Sequence, residues 1–532
     1  MRDLPARGSE KNMNKPSNNI IHHNNSVPFR VDVALLLLLV IGWALVLFRM
    51  WGGGFTGGDE GFTASAAYHY NGVFGAAKVL AESQGRFYQL FIFPLAQIPY
   101  LFDSLAWTNS LRILSSASAV IAFYYFTQVL FGRILALLSG FILLALQDTV
   151  GSGYNPFHAL PLWFNLGITL FFFSLYLFTQ AVSRGKPTTL AYTIFFTSLL
   201  TYEAMLLYAL AFVLLWLHLS PPKKVAGDTW RMYLNEFRKN NIGLFVSTGS
   251  YLLLYAIYRM IYGSSYAGAQ GLSWSNTHDV LYTVYAFSVN GIYIRGLRDW
   301  FWDLSLPASH ISVIVAVGMA FCIFLQAFSP KKTSGIISFK CILSIVLFIF
   351  IPNILFGLTE RYRGWATKGP YYIGSYFSSF AICLALAVAI VFLLTYTSKK
   401  LFITFFSNGI AVLLASSIAF GAYLNHYQSV SFFDKSRNDA RRSSSMAALG
   451  DALHSRNIGP FSTLCITSLM ADADPYDYWS FFISKRAKYP VKVMLGKTNK
   501  KCEAYIEPDG TDYKLLSPAG KVIWSDTRQG PH

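Results

Sequence analysis

Three observations predict an all-α polytopic membrane protein carrying a small soluble α/β domain at its C-terminal end. Only 13% of the 532 residues are charged and 54% are hydrophobic, whereas soluble chains carry about 25% charge. Apolar runs approaching the ~20 residues needed to cross a bilayer recur between residues 31 and 423. Beyond residue 424 the pattern changes to charged stretches with short alternating apolar runs, which is how half-buried strands read.

In chain order, residues 1–30 are polar and rich in Asn and His, and are expected to form a disordered cytoplasmic tail with no cleavable signal peptide. Residues 31–423 form the membrane domain. Its spans are read as 31–50, 112–130, 133–148, 160–181, 189–219 as two helices turning at Thr201-Tyr202-Glu203, 243–261, 311–328, 341–357, 374–397 and 401–423, eleven in all. Segment 87–102 is apolar too, but it contains two Gln and two Pro.

Loop charge settles how that segment is counted. Arg133, Arg184, Lys186, Lys223, Lys224, Arg231, Arg238, Lys239, Lys331, Lys332, Lys399 and Lys400 all stand at span ends. With the N-terminus inside and 87–102 not spanning, every one of them faces the cytoplasm, as basic loop residues prefer. Segment 87–102 is therefore expected to lie in the outer interface. The same asymmetry accounts for the net charge of +17, so no nucleic-acid partner is implied.

The outer face then holds a long first loop (51–111), the 149–159 loop, the Glu203 turn, a second long loop (262–310), the 358–373 loop and the C-terminal domain, 424–532. In that domain, helices are expected near 434–456 and 475–488, and strands near 461–467, 491–495, 502–506 and 521–524. Cys465 and Cys502 belong to it, and an extracytoplasmic location would let them form a disulfide. Cys322, Cys341 and Cys383 lie in or beside apolar spans and are expected in the core.

The first outer loop opens with Gly52-Gly53-Gly54-Phe55-Thr56-Gly57-Gly58-Asp59-Glu60-Gly61. Glycine lets the backbone approach a ligand closely, and acids at a membrane boundary are costly unless paired, solvated or in use. The 358–373 loop sets Arg361, Arg363 and Lys368 among Tyr362, Trp365, Tyr371 and Tyr372. Cations on the outer face run against the usual bias. They suit either a bound anion such as a lipid phosphate or anchoring in the headgroups.

With its N-in first helix and the Gly-Gly-Asp-Glu-Gly-Phe opening of its first outer loop, the chain resembles the GT-C glycosyltransferases, which include the aminoarabinose transferases of lipid A and the protein O-mannosyltransferases. The span that opens with Arg112-Ile113-Leu114-Ser115-Ser116-Ala117 is similar to theirs as well. The likeness covers about residues 30–220, and the remaining membrane region by topology alone.

The resemblance implies a polyprenyl-phosphate sugar donor, a glycan, glycolipid or protein acceptor, and transfer with inversion on the outer face of the inner (plasma) membrane. It makes Asp59 the general base, with Glu60 as the competing candidate, and a divalent cation (Mg or Mn) at Asp59 an optional partner. Arg112 matches a family arginine near the donor, and Arg86 in Gln84-Gly85-Arg86-Phe87 stands where some members carry a Lys-Pro-Pro element that this chain lacks. With Arg361, Arg363 and Lys368 they form the expected donor-phosphate set. Residues 148–158, Asp-Thr-Val-Gly-Ser-Gly-Tyr-Asn-Pro-Phe-His, diverge from the family pattern, in which an Asp follows the third span.

Glu203, His278 and Tyr371 are candidates for supporting the site or for the acceptor. Each has an ordinary reading beside it: a solvated turn, a helix start capped by Ser, Asn or Asp, and an interfacial aromatic. The competing function is a transporter or flippase of a lipid-linked or anionic substrate, but matched broken helices in two repeated halves are not seen. A non-catalytic scaffold would explain the C-terminal domain and leave the Asp59–Glu60 element without a use.

Overall fold

The computed structural model describes residues 29–52, 60, 63–64, 66–67, 70–102, 104–147, 160–219, 229–264, 277–289, 317–321, 339–366, 372–395, 401–455, 458, 461–467, 476–495, 502–509 and 512–525. Over these residues the chain is mostly helical. The first helix, α1 (Phe29–Phe48), is followed by α2 (Val73–Gln84), α3 (Gln89–Gln97), α4 (Leu105–Phe131), α5 (Arg133–Leu146), α6 (Phe164–Ser183), α7 (Thr189–Leu199) and α8 (Ala209–Leu219). Then come α9 (Thr229–Ile261), α10 (Thr277–Val289), α11 (Phe339–Phe350), α12 (Ile354–Leu358), α13 (Glu360–Ala366), α14 (Tyr372–Thr395) and α15 (Leu401–Ser455).

Among the described residues, six helices are long and apolar enough to cross a membrane, and shorter apolar helices cover 133–146, 189–199, 203–219 and 342–358. These ten coincide with ten of the eleven expected spans. The other, 311–328, lies outside the described residues apart from a helical piece at 317–321. The break expected at Thr201-Tyr202-Glu203 is present: α7 ends at Leu199, and a 3-10 turn, Glu203–Tyr208, leads into α8. Helix α3 has nine residues. At 1.5 Å per residue it rises ~14 Å, about half of a bilayer core, so it does not span.

Lipid tails are as apolar as leucine, so packing and interhelical hydrogen bonds hold such helices together. Phe123, Phe172 and Phe380 form a three-ring contact with centroids 5.1–5.3 Å apart. Asn353 Nδ2 donates to the hydroxyls of Ser288 and Ser378, each at 2.8 Å. Ser198 Oγ donates to the Gly167 carbonyl at 2.9 Å, which ties α7 to α6. A mostly apolar cavity lies in the bundle, lined by Phe126, Phe131, Leu175, Leu215, Ile345 and Leu384 with Tyr208, His218 and Ser344, and holds no candidate site residue.

The C-terminal domain is a five-stranded sheet in the order β2-β1-β3-β4-β5: β1 (Thr463–Ile466), β2 (Lys492–Leu495), β3 (Ala504–Asp509), β4 (Asp512–Leu516) and β5 (Val522–Ser525). Strand β1 pairs parallel with β2 and β3; β3, β4 and β5 are antiparallel. Strand β4 is the one that the sequence reading left out, although Tyr513 and Leu515 are buried with the two-residue period of a half-buried strand. Cys465 and Cys502 form the disulfide, with Cα atoms 5.6 Å apart.

Helix α16 (Tyr476–Ala487) packs against α15, and at Gly450 a Cβ would come within 2.8 Å of the Ile483 carbonyl. Helix α15 itself has 55 residues, ~80 Å. It merges the expected 401–423 span and 434–456 helix into one rod that passes unbroken through residue 424.

Candidate active site

The segment between α1 and α4 is held at two places, one at each end of α3. The first begins at the C-terminus of α2. Gly85 adopts φ 62° there, and the Arg86 amide donates back to the Ala81 carbonyl at 3.0 Å, the left-handed stop that glycine permits. Arg259 Nη1, near the end of α9, donates to the Gln84 carbonyl at 3.1 Å. A Cβ at Gly85 would lie 2.8 Å from the Tyr262 carbonyl.

This turn delivers Arg86 to Glu203, with Nη2 2.6 Å from Oε1. The Tyr88 hydroxyl donates to the other carboxylate oxygen. Burial opposes charge on Arg86, but the Glu203 carboxylate more than offsets it and holds the guanidinium pKa above its ordinary value. Burial pushes the Tyr88 phenol up, so it remains a donor. Tyr202 and Tyr362 are hydrogen-bonded beside this pair, and Tyr362 belongs to α13, the helix that carries Arg361 and Arg363. Both arginines are half-buried, and Arg363 Nη1 donates to the Gly357 carbonyl at 3.2 Å.

The second place is formed by Glu60, Tyr100 and Arg112. Arg112 Nη2 lies 2.7 Å from Glu60 Oε1, with both side chains essentially sealed (2% and 0% exposed). The Tyr100 hydroxyl donates to the same oxygen at 2.9 Å. Burial first, and the nearby Glu60 second, push the Tyr100 phenol well up and keep its proton in place. Ser104 caps α4 by accepting from the Trp107 amide at 3.3 Å.

One turn before Arg112 on the same helix face, Asn109 accepts from Arg112 Nη1 and donates to the Trp51 carbonyl at 2.9 Å. The Thr63 carbonyl accepts from Gln97 Nε2. A second polar ladder follows along α4: Asn165 Nδ2 donates to Ser116 Oγ at 3.1 Å, and Asn165 Oδ1 accepts from the Tyr376 hydroxyl.

The structure thus joins Arg86 to Glu203 near the Arg361–Arg363 helix, and joins Glu60 to Arg112. His278 is 87% exposed and faces Asp279 at 3.5 Å. Asp59, Lys368 and Tyr371 lie outside the described residues. Among the described residues, no group of three or more His, Cys, Asp or Glu could hold a metal ion; Asp59 is not among them. The sequence reading missed Tyr88, Tyr100 and Asn109. The polar residues interrupting the apolar 87–102 run were the signal for the tyrosines, and the i, i+3 spacing to Arg112 was the signal for Asn109.

No protein-family profile matches the chain, and no curated protein does. Among solved structures it is similar to the Archaeoglobus fulgidus oligosaccharyltransferase tethered with an acceptor peptide: TM-score 0.38, 14% identity, over 90% of this chain and 65% of that one. It is also similar to ArnT from Cupriavidus metallidurans in the apo state: TM-score 0.38, 14% identity, over 88% and 86% of the two chains. The chain spans less than two thirds of that oligosaccharyltransferase's length.

Proposed function

We propose that the protein is a membrane glycosyltransferase that moves a sugar from a polyprenyl-phosphate donor to an acceptor hydroxyl on the outer face. The observation that carries this reading is the sealed Glu60–Arg112–Tyr100 cluster. It occupies Glu60 with two donors, fixes the start of the first outer loop, and leaves its sequence neighbour Asp59 as the carboxylate to take a proton. In the reaction the acceptor oxygen attacks the anomeric carbon, the bond from that carbon to the phosphate oxygen breaks, and the hydroxyl proton passes to Asp59. Polyprenyl phosphate leaves with the bonding pair. General-base assistance of this kind is worth about 10²–10⁴-fold.

The developing phosphate charge needs fixed cations. Arg86, Arg361, Arg363 and Lys368 are assigned to it. Glu203 balances Arg86 when no donor is bound. Arg112 is assigned to the loop as well as to the donor: each terminal nitrogen gives one N–H to Asn109 or Glu60 and keeps a second. His278 and Tyr371 are left to the acceptor side. A divalent cation would rest on Asp59, since Glu60 is committed to Arg112, and no step depends on it.

The test is Asp59→Asn, followed by mass analysis of envelope glycans and glycolipids against wild-type and gene-deleted cells. Loss of a sugar-modified species by ~10²-fold or more, with unchanged unfolding temperature, is expected. Retention of that species in the Asn variant would remove Asp59 as the base. Absence of any glycan difference between wild-type and deleted cells would remove the transferase reading and favour transport.

A further inference from the structure

The C-terminal domain and the Glu60 cluster share a residue. Tyr100 donates its hydroxyl to Glu60, and its ring belongs to the same continuous apolar core as Met446, Leu449, Trp479 and Ile483 of the C-terminal domain. Ala64, four residues beyond Glu60, is buried in that core too. Lys485 Nζ, on α16, reaches the Tyr100 carbonyl at 3.5 Å. The domain stands on α15, which is unbroken from the membrane, and Asn425 Nδ2 on that helix donates to the Gln147 carbonyl at 2.7 Å at the end of α5. The domain is therefore built on a rod rather than hung from a linker, and one face of its core is closed by loop residues.

A buried carboxylate keeps its place only while its donors are held. We infer that the C-terminal domain is a clamp on the acidic loop, with Tyr100 as the positioning residue that transmits the domain's position to Glu60. Resting on the proposed transfer reaction, this gives the domain a role in placing Asp59, independent of any contact with the acceptor.

Two variants of the full-length protein in nanodiscs test the clamp. Tyr100→Phe keeps the ring and removes only the hydroxyl. A double Cys465→Ser/Cys502→Ser variant loosens the domain without touching the loop. Hydrogen exchange is followed in peptides spanning 60–67, with 164–183 as reference. Both variants are expected to speed exchange of the loop peptide ~10-fold and leave the reference unchanged. Tyr100→Phe should also bind the probe undecaprenyl phosphate with unchanged affinity while forming the glycosylated product ~10-fold more slowly.

Unchanged loop exchange in Tyr100→Phe overturns the clamp, whether or not the double variant folds. So does a double variant that loosens the domain and leaves the loop protected. If the loop responds as expected but wild-type cells show no glycan difference from deleted cells, the clamp stands and the transferase reading falls.

Discussion

The two ion pairs that hold the segment between α1 and α4 differ in access. Glu60–Arg112 is sealed, with both partners at 2% exposure or less. Arg86–Glu203 keeps 8% and 20% of its side chains exposed and sits beside Tyr362 of α13. Burying an ion pair is costly, and removing one partner of a sealed pair is costlier still. The sealed pair therefore reads as a fixed mounting, and the less deeply buried one suits the proposed exchange of its carboxylate partner for the donor phosphate. Separated by a helix of ~14 Å, they hold the loop at both ends.

The sharpest way to break the contrast is Arg112→Met, which strands the Glu60 charge. It should cost about 3–5 kcal/mol, seen as a large drop in unfolding temperature and in recovery of folded protein. Arg86→Met leaves Glu203 with the Tyr88 hydroxyl and some water, so its cost should be smaller, about 1–3 kcal/mol. Its mark should be weaker binding of undecaprenyl phosphate. If Arg86→Met destabilises as much as Arg112→Met and leaves that affinity alone, the two pairs do the same job and the contrast is wrong.

Gly85→Ala sharpens it further. Strain at φ 62° and the approach to the Tyr262 carbonyl should cost about 1 kcal/mol or more. The effect should appear as weakened phosphate binding through a displaced Arg86, without loss of the Glu60 cluster.

A carboxylate outside both clusters gives the baseline. Hydrogen bonds from the Ser462 hydroxyl, and then from backbone amides, hold the Glu503 pKa below its ordinary value. The stability this adds is present above the unfolded-state pKa and is lost as pH falls through the lower folded-state value. Unfolding of the C-terminal domain, followed from pH 6 to about pH 3, should show a small acid-side loss that Glu503→Gln removes.

What was legible in the sequence was local. The positions of the apolar helices, the turn at Glu203 and the non-spanning nature of 87–102 follow from composition over one segment and the sign of its flanking charge. The break at Gly85 is equally local, being set by a residue without a Cβ, yet it was not read from the sequence. Strand β4 was local too and was still missed, because Asp512 and Lys514 diluted a short apolar alternation.

The sites were only half legible. Their residue types stood out as acids and cations beside the apolar spans. Their pairing did not, because Glu60 meets Arg112 across 52 positions and Tyr88 meets Glu203 across 115. No short-range periodicity encodes such meetings.

By itself the sequence determined that this chain is a many-helix membrane protein whose candidate acids and cations fall between or at the ends of its apolar segments, because hydropathy and loop charge act segment by segment. Only the tertiary structure decided that Glu60 is sealed against Arg112 and Tyr100, that Arg86 is balanced by Glu203, and that the C-terminal domain closes over the same loop. Burial decides the cost of every charge, and burial belongs to the packed whole rather than to any one stretch of chain.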